Sequence, residues 1–377
     1  MMIFMILYLI DDLIINGDET TSKEYRDYKH CIRNIANTVI EGNHILRGDY
    51  NILCRCIEMF KGDSEYEMFF RDLVNNYATN TIPSDITYYI EVVKNNPQER
   101  EENGRVIAQR CINDFYNSST LYKSKLICED ENDCSFYKFV AEWYIKKEGL
   151  KYHLNIAEVG GGGARTINKI KDSLFKEKQL CICIVDTDKK YPQMAISPHS
   201  KDCQKLDNHK CGYRCIVINV HEIENILPLN YIDDLIETNQ RYNYKLSKEQ
   251  KKHFDYLRYS NEVEDILPYF DYKNGIKNNE EYIKSADYQK YAKLCWQQNP
   301  EINKDCTFNE YVNKIEKDKH IYKQLSRTIA ADILEYISDN KNALKEPDLL
   351  KFQEKEWIRI GKELVNWGCA RVPEGIS

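Results

Sequence analysis

The apolar positions change their spacing twice along the chain. Up to residue 116 they fall mostly at helical intervals, with Ile32, Ile35, Val39 and Leu46 continued by Met59, Met68 and Phe69. Pro83 and the polar run Asn95 to Asn103 interrupt that pattern as loops. The opening run, Met1 to Ile10, is apolar throughout and ends at Asp11 and Asp12. It is shorter than the roughly 20 residues of a membrane helix and has no basic start of a leader. It is expected to be a buried strand or helix of the core.

Residues 117–230 read differently. Four short apolar runs, Ser124 to Cys128, Asn155 to Val159, Leu180 to Val185 and Cys215 to Val220, alternate with helical patterns. One helix is expected to present Phe136, Phe139, Val140, Trp143 and Lys147 and to close at Gly149. A second presents Ile167, Ile170 and Leu174. The Leu180 to Val185 run is apolar at every position, as in a central strand covered on both faces. Strands alternating with helices predict a parallel sheet with right-handed crossovers. Thr187 to Arg214 reads as a long polar loop of functional character. Residues 231–377 return to helix, with Ile321, Leu325, Ile329, Ile333 and Ile337 as an apolar stripe and Trp296, Trp357 and Trp367 as core aromatics. The fold class is therefore α/β: a mostly helical region 1–116, a central parallel-sheet domain 117–230 and a helical region 231–377.

Composition narrows the picture. The chain has 377 residues, 42% apolar and 30% charged, which excludes collagen, coiled coil and wholesale disorder. Its net charge of −7 excludes a non-specific polyanion coat. The central region, with 17 basic and 15 acidic residues, is the least acidic part. Fourteen cysteines, several inside apolar runs such as Cys181 and Cys183, fit buried thiols in a reducing cytoplasm.

In open α/β sheets, ligands bind beyond the carboxyl ends of the strands. Here the first run ends in Glu129, Asp130, Glu131, Asn132, Asp133, and the second in Gly160 to Gly163. The third ends in Asp186, Thr187, Asp188 and the fourth in His221, Glu222, Ile223, Glu224, Asn225. Crowded carboxylates repel one another and are relieved by a hard divalent cation, which can activate water and steady a phosphodiester leaving oxygen. The glycines Gly161, Gly162 and Gly163, feeding a helix N-terminus, would admit an anion.

In this order the residues resemble the Toprim domain of topoisomerases and primases, in the version found in OLD-family and phage-defence Toprim nucleases. The matching pieces are Ile127 to Asp133 with Phe136-Tyr137, Val159 to Gly163, Ile184 to Asp188, and Glu222 to Leu227. They span about residues 122–230. Family members carry Gly after the first Glu, where this chain has Asp130. The resemblance implies a magnesium- or manganese-dependent endonuclease cutting DNA or RNA, tRNA included, as an antiviral defence effector. It implies Glu129 as general acid/base or metal ligand, Asp186 and Asp188 as metal ligands, and Asp133 and Glu224 as a second metal shell, with Glu222 competing for Glu224's place. Lys189 or Lys190 would steady the scissile phosphate. OLD proteins carry an ATPase domain; no Gly-x-x-x-x-Gly-Lys-Ser/Thr motif occurs here, so an ATPase or regulator would be a separate chain. Neither oligomeric state nor the role of the helical flanks is legible.

Rival readings remain at this point. Glu158 to Gly163 also resembles the first motif of adenosylmethionine-dependent methyltransferases, with Asp186 on the ribose; Glu129, Asp133 and Glu224 would then have no task. A catalytically silent Toprim-fold binding module is a third reading, opposed by the cost of unused carboxylates. Cys203, His209, Cys211 and Cys215 have the donor types of a zinc site, in a spacing that matches no standard knuckle. His221 beside Glu222 is expected to be structural.

Overall fold

The computed structural model describes residues 2–3, 5–13, 22–79, 81–84, 86–150, 152–207, 212–237, 248–299, 301–302, 305–340 and 343–371. The chain is an α/β protein that divides into two compact units. The first comprises Met1–Ile184, Cys203–Ile216 and Arg359–Ser377; the second comprises Val185–Asp202 and Val217–Ile358.

The strands in chain order are β1 (Met2–Ile3), β2 (Ile6–Leu9), β3 (Ile45–Gly48), β4 (Tyr88–Val93), β5 (Glu99–Glu102), β6 (Arg105–Cys111), β7 (Lys125–Cys128), β8 (Tyr152–Leu154), β9 (Ala157–Gly160), β10 (Cys181–Val185), β11 (Tyr213–Val217), β12 (Ile276–Lys277), β13 (His320–Tyr322) and β14 (Cys369–Arg371). The helices needed below are α1 (Lys23–Ile40), α2 (Tyr50–Met59), α3 (Ser64–Asn75), α4 (Glu131–Lys147), α5 (Thr166–Lys171), α6 (Pro198–Lys205) and α7 (Leu229–Glu237).

In the first unit, β2 to β6 form a sheet in the order β3-β2-β4-β6-β5. β2 runs parallel to β3 and β4, and β4 runs parallel to β6. The edge strand β5 is antiparallel to β6, and its four exposed residues, Glu99 to Glu102, are all charged. Charge on an edge strand discourages pairing with another chain. Residues 1–116 were expected to be mostly helical, and α1, α2 and α3 are there, but this sheet was not foreseen. Its centre, β4, is buried at all six positions. A strand buried on both faces loses its alternation and cannot be told from a buried helix by period. The apolar start of the chain resolves accordingly, since Ile6 to Leu9 are the strand β2.

The second sheet has the order β11-β10-β7-β9. β7 runs parallel to both neighbours, with Ile127 opposite Cys183 and Val159. All four expected runs are strands, with ends shifted by up to three residues; β11 starts at Tyr213 and stops at Val217. β10 is buried throughout, as its composition required. α4 closes at Glu148, followed by Gly149 at φ +61°. α5 continues into a π-helical turn, Asp172–Glu177, which buries Leu174. The polar segment after β10 is not a plain loop, because α6 lies within it.

The second unit is largely helical, with β12 and β13 as a small antiparallel pair. The stripe from Ile321 to Ile337 is buried but is not one helix: Ile321 lies in β13, Leu325 in a connection, and Ile329, Ile333 and Ile337 on the helix Ile329–Asp339. Trp296, Trp357 and Trp367 are buried, as expected of core aromatics. Trp357 donates its indole N–H to the Ile226 carbonyl at 2.8 Å, and Trp367 stacks on Tyr88 at 4.7 Å in the first unit. Among the described residues, no helix is long and apolar enough to cross a membrane.

Candidate functional site

In the first unit, Glu129 follows β7 and is half-buried. Asp130 is the N-cap of α4, and its carboxylate accepts the Asn132 amide at 2.8 Å. Asp133 answers it, accepting the Asp130 amide at 3.1 Å to complete a capping box. Asp130 therefore has a local task at this position, as the cap of α4. The capping box also gives Asp133, expected in a metal shell, a local helix-capping role.

The glycine run makes a turn against the same strand end. The Gly161 amide donates to the Cys128 carbonyl at 2.7 Å, and those of Gly162 and Gly163 donate to the Glu129 carbonyl at 2.9 and 3.3 Å. Gly162 and Gly163 sit at φ +71° and +61°, and a Cβ on Gly161 would lie 2.1 Å from Thr166 Oγ1. Glycine is therefore demanded by backbone geometry and by close packing on α5. The amides expected to cradle an anion are engaged in holding the turn.

The Asp-x-Asp segment belongs to the second unit. Thr187 is buried and its hydroxyl donates to the Val220 carbonyl. The Asp188 amide donates to the His221 carbonyl at 3.0 Å, and Asp188 takes φ +55°, a left-handed conformation that a non-glycine residue holds only under constraint. Ser200 Oγ on α6 donates to the Asp186 carbonyl. Asp186 and Asp188 are half-buried on this turn. Lys189 donates through Nζ to the Pro192 carbonyl at 3.3 Å. Lys190 Nζ lies 3.8 Å from Asp271 Oδ2 and 5.6 Å from the Tyr282 ring centroid.

The turn after β11 is bolted to the segment 267–274. The His221 amide donates to the Pro268 carbonyl at 2.8 Å. Asn225 Oδ1 accepts the Glu222 amide at 2.9 Å, while its Nδ2 donates to the Leu267 and Phe270 carbonyls at 2.6 and 2.8 Å. Asn225 thus delivers Asp271 and Lys273 to the carboxylates. Lys273 Nζ stands 2.8 Å from Glu222 Oε2 and 3.0 Å from Glu224 Oε1. Glu224 is only 3% exposed. Burial pushes its carboxyl up, Lys273 pulls against that, and Glu222 reinforces it. Burial would lower the Lys273 ammonium, but Glu224 and Glu222 outweigh it and raise it. His221 is buried, with Nε2 3.5 Å from Glu222 Oε1 and 3.8 Å from Asp271 Oδ2. Asp271 accepts the Lys273 and Asn274 amides at 3.1 and 2.7 Å. Burial would raise its carboxyl, yet His221 and Asn274 bring it down to about 2.

The structure therefore gathers the Asp186–Asp188 turn, the His221–Asn225 turn and the Asp271–Lys273 turn within the second unit. Glu129 and the glycine turn stand in the first unit. No family model, no curated protein and no solved structure matches this chain. Among the described residues, no three His, Cys, Asp or Glu side chains converge as a ready metal cage. Of the zinc-type donors, His209 and Cys211 lie outside the described residues. Cys203 and Cys215 are buried against Cys183, whose thiol is held neutral first by burial and then by those two neighbours.

Asp271 and Lys273 went unread in the sequence. The available signal was Asp271-Tyr272-Lys273-Asn274-Gly275, a turn-forming cluster directly after the apolar run Ile266 to Phe270. Two charges abutting a run that is otherwise core mark a turn that carries them inward.

Proposed function

We propose that this chain is a divalent-metal-dependent endonuclease hydrolysing phosphodiester bonds. One observation carries the reading. Asp186 and Asp188 are presented half-exposed on a turn that hydrogen bonds from the Asp188 amide and the Thr187 hydroxyl tie to the His221 and Val220 carbonyls. Rigid support behind half-exposed aspartates suits a binding centre. Oxygen donors on such a turn fit magnesium or manganese, which prefer carboxylates and retain water.

When bound, such an ion supplies an activated water and neutralises charge on the phosphate. The chain's own residues do the rest. Asp186 and Asp188 would hold the ion from one turn. Lys190, half-exposed between the long contact to Asp271 and the Tyr282 ring, can meet a phosphate oxygen; Lys189 is committed to the Pro192 carbonyl. Glu129, directly after β7, keeps in this reading the general acid/base role that the resemblance implies. The engaged glycine amides support a structural turn and give no support to an adenosylmethionine pocket.

The test is cleavage of plasmid DNA and total tRNA by the purified chain with magnesium, manganese or EDTA, beside Asp186→Ala and Glu129→Ala. Metal-dependent cutting lost in both variants supports the reading and shows the substrate class. Failure to cut together with no metal binding by calorimetry sinks it. Metal binding without cutting would indicate that an activating partner is required.

A further inference from the structure

The carboxylates Glu222 and Glu224 already have a cation. Lys273 Nζ lies within 2.8 and 3.0 Å of them, and it is the chain's own charge, delivered by the Asn225 tether. Glu224 is 3% exposed, and its other oxygen, Oε2, has no hydrogen-bond partner. A buried carboxylate with one oxygen on an ammonium and the other unused is a ligand-type group whose charge is met from within the chain. Metal ions and ammonium groups compete for such oxygens, and one excludes the other at contact distance.

The geometry points to Lys273 as the built-in stand-in for a second metal: Glu222 and Glu224 are closed to divalent ions, and the centre is a one-ion site built on Asp186 and Asp188. This rests on the proposed nuclease reading for the Asp186–Asp188 ion, but not for Lys273 itself. It departs from the expectation that Glu224 ligates a second metal. An ammonium on a side chain cannot be diluted or chelated away. The chain therefore keeps that half of the charge balance at any metal concentration.

The experiment counts ions. Manganese binding to the full chain is titrated by calorimetry and by the free-manganese electron paramagnetic resonance signal, independently of cleavage. Wild type is expected to bind one ion per chain and Glu224→Gln also one, while Asp186→Asn binds none. Lys273→Met, which keeps the aliphatic stem and removes the charge, is expected to bind one ion more than wild type. The double variant Lys273→Met/Glu224→Gln is expected to lose that extra ion. Circular dichroism checks each fold, since Lys273→Met leaves Glu224 buried without its cation. Two ions in wild type, loss of the ion in folded Glu224→Gln, or no gain in folded Lys273→Met each overturns the inference. Should Lys273→Met not fold, the wild-type and Glu224→Gln counts decide it alone. No ion in wild type but one in Lys273→Met would sink the nuclease reading while upholding the role of Lys273.

Discussion

Asp271→Asn isolates a single buried charge. The substitution is isosteric, and an asparagine Oδ1 still accepts the Lys273 and Asn274 amides that Asp271 accepts now. What it removes is the negative charge facing His221 and Lys190. The Asp271 carboxyl moves from 3.8 to about 2 in the fold. At about 1.4 kcal/mol per pKa unit, the ionised form contributes about 2 kcal/mol of stability. The native carboxyl binds its proton less tightly than the unfolded chain does. Its contribution is therefore complete above pH about 4 and falls to roughly half by pH 3, disappearing as pH drops through about 2. Chemical denaturation of both proteins, followed by far-ultraviolet circular dichroism at pH 7 and pH 3, measures the difference. Asp271→Asn should be less stable by about 2 kcal/mol at pH 7, and the gap should narrow at pH 3. An unchanged gap at the two pH values would refute the charge argument and assign the effect to packing.

Two further substitutions test the first unit. Asp130→Ala removes the N-cap of α4 and should cost about 1 kcal/mol in denaturant unfolding; an unchanged midpoint would mean the capping box adds nothing. Gly161→Ala forces a methyl group onto Thr166 and should cost about 1–3 kcal/mol. Pairing it with Thr166→Ala should recover part of that, and no recovery would place the strain in the backbone instead.

The second sheet was legible because its strands and helices differ in period and its glycines and carboxylates punctuate them. Lys125–Cys128, Ala157–Gly160 and Cys181–Val185 each lie close to the boundaries that apolar runs suggested. The first sheet was not, for the reason that makes it stable. Ile6 to Leu9 and Tyr88 to Val93 are packed against protein on both sides, so selection for a wet face is absent and no alternation survives. The Ile321 to Ile337 stripe misled in the opposite direction. Its four-residue spacing runs through a strand and a connection before reaching a helix, because burial in a shared core, not helical continuity, sets those positions.

The candidate site divides along the same line. Residues that sit directly at strand ends, Glu129, Asp186 and Asp188, are visible to anyone who knows where ligands bind in open sheets, and Glu224 follows the fourth apolar run. The residues that set their charge are not, since Asp271 and Lys273 arrive from about 50 residues further along on a turn held by Asn225. Counting carboxylates at strand ends therefore overstates the unbalanced negative charge. Lys273 offsets one of the two charges on Glu222 and Glu224, and Lys190 lies 3.8 Å from Asp271. On the Asp186–Asp188 turn both aspartates are half-buried, and Asp188 is held in a left-handed backbone conformation. The proposed cation uptake therefore relies on the turn that holds Asp188 in a left-handed conformation, beside carboxylates that Lys273 balances only in part.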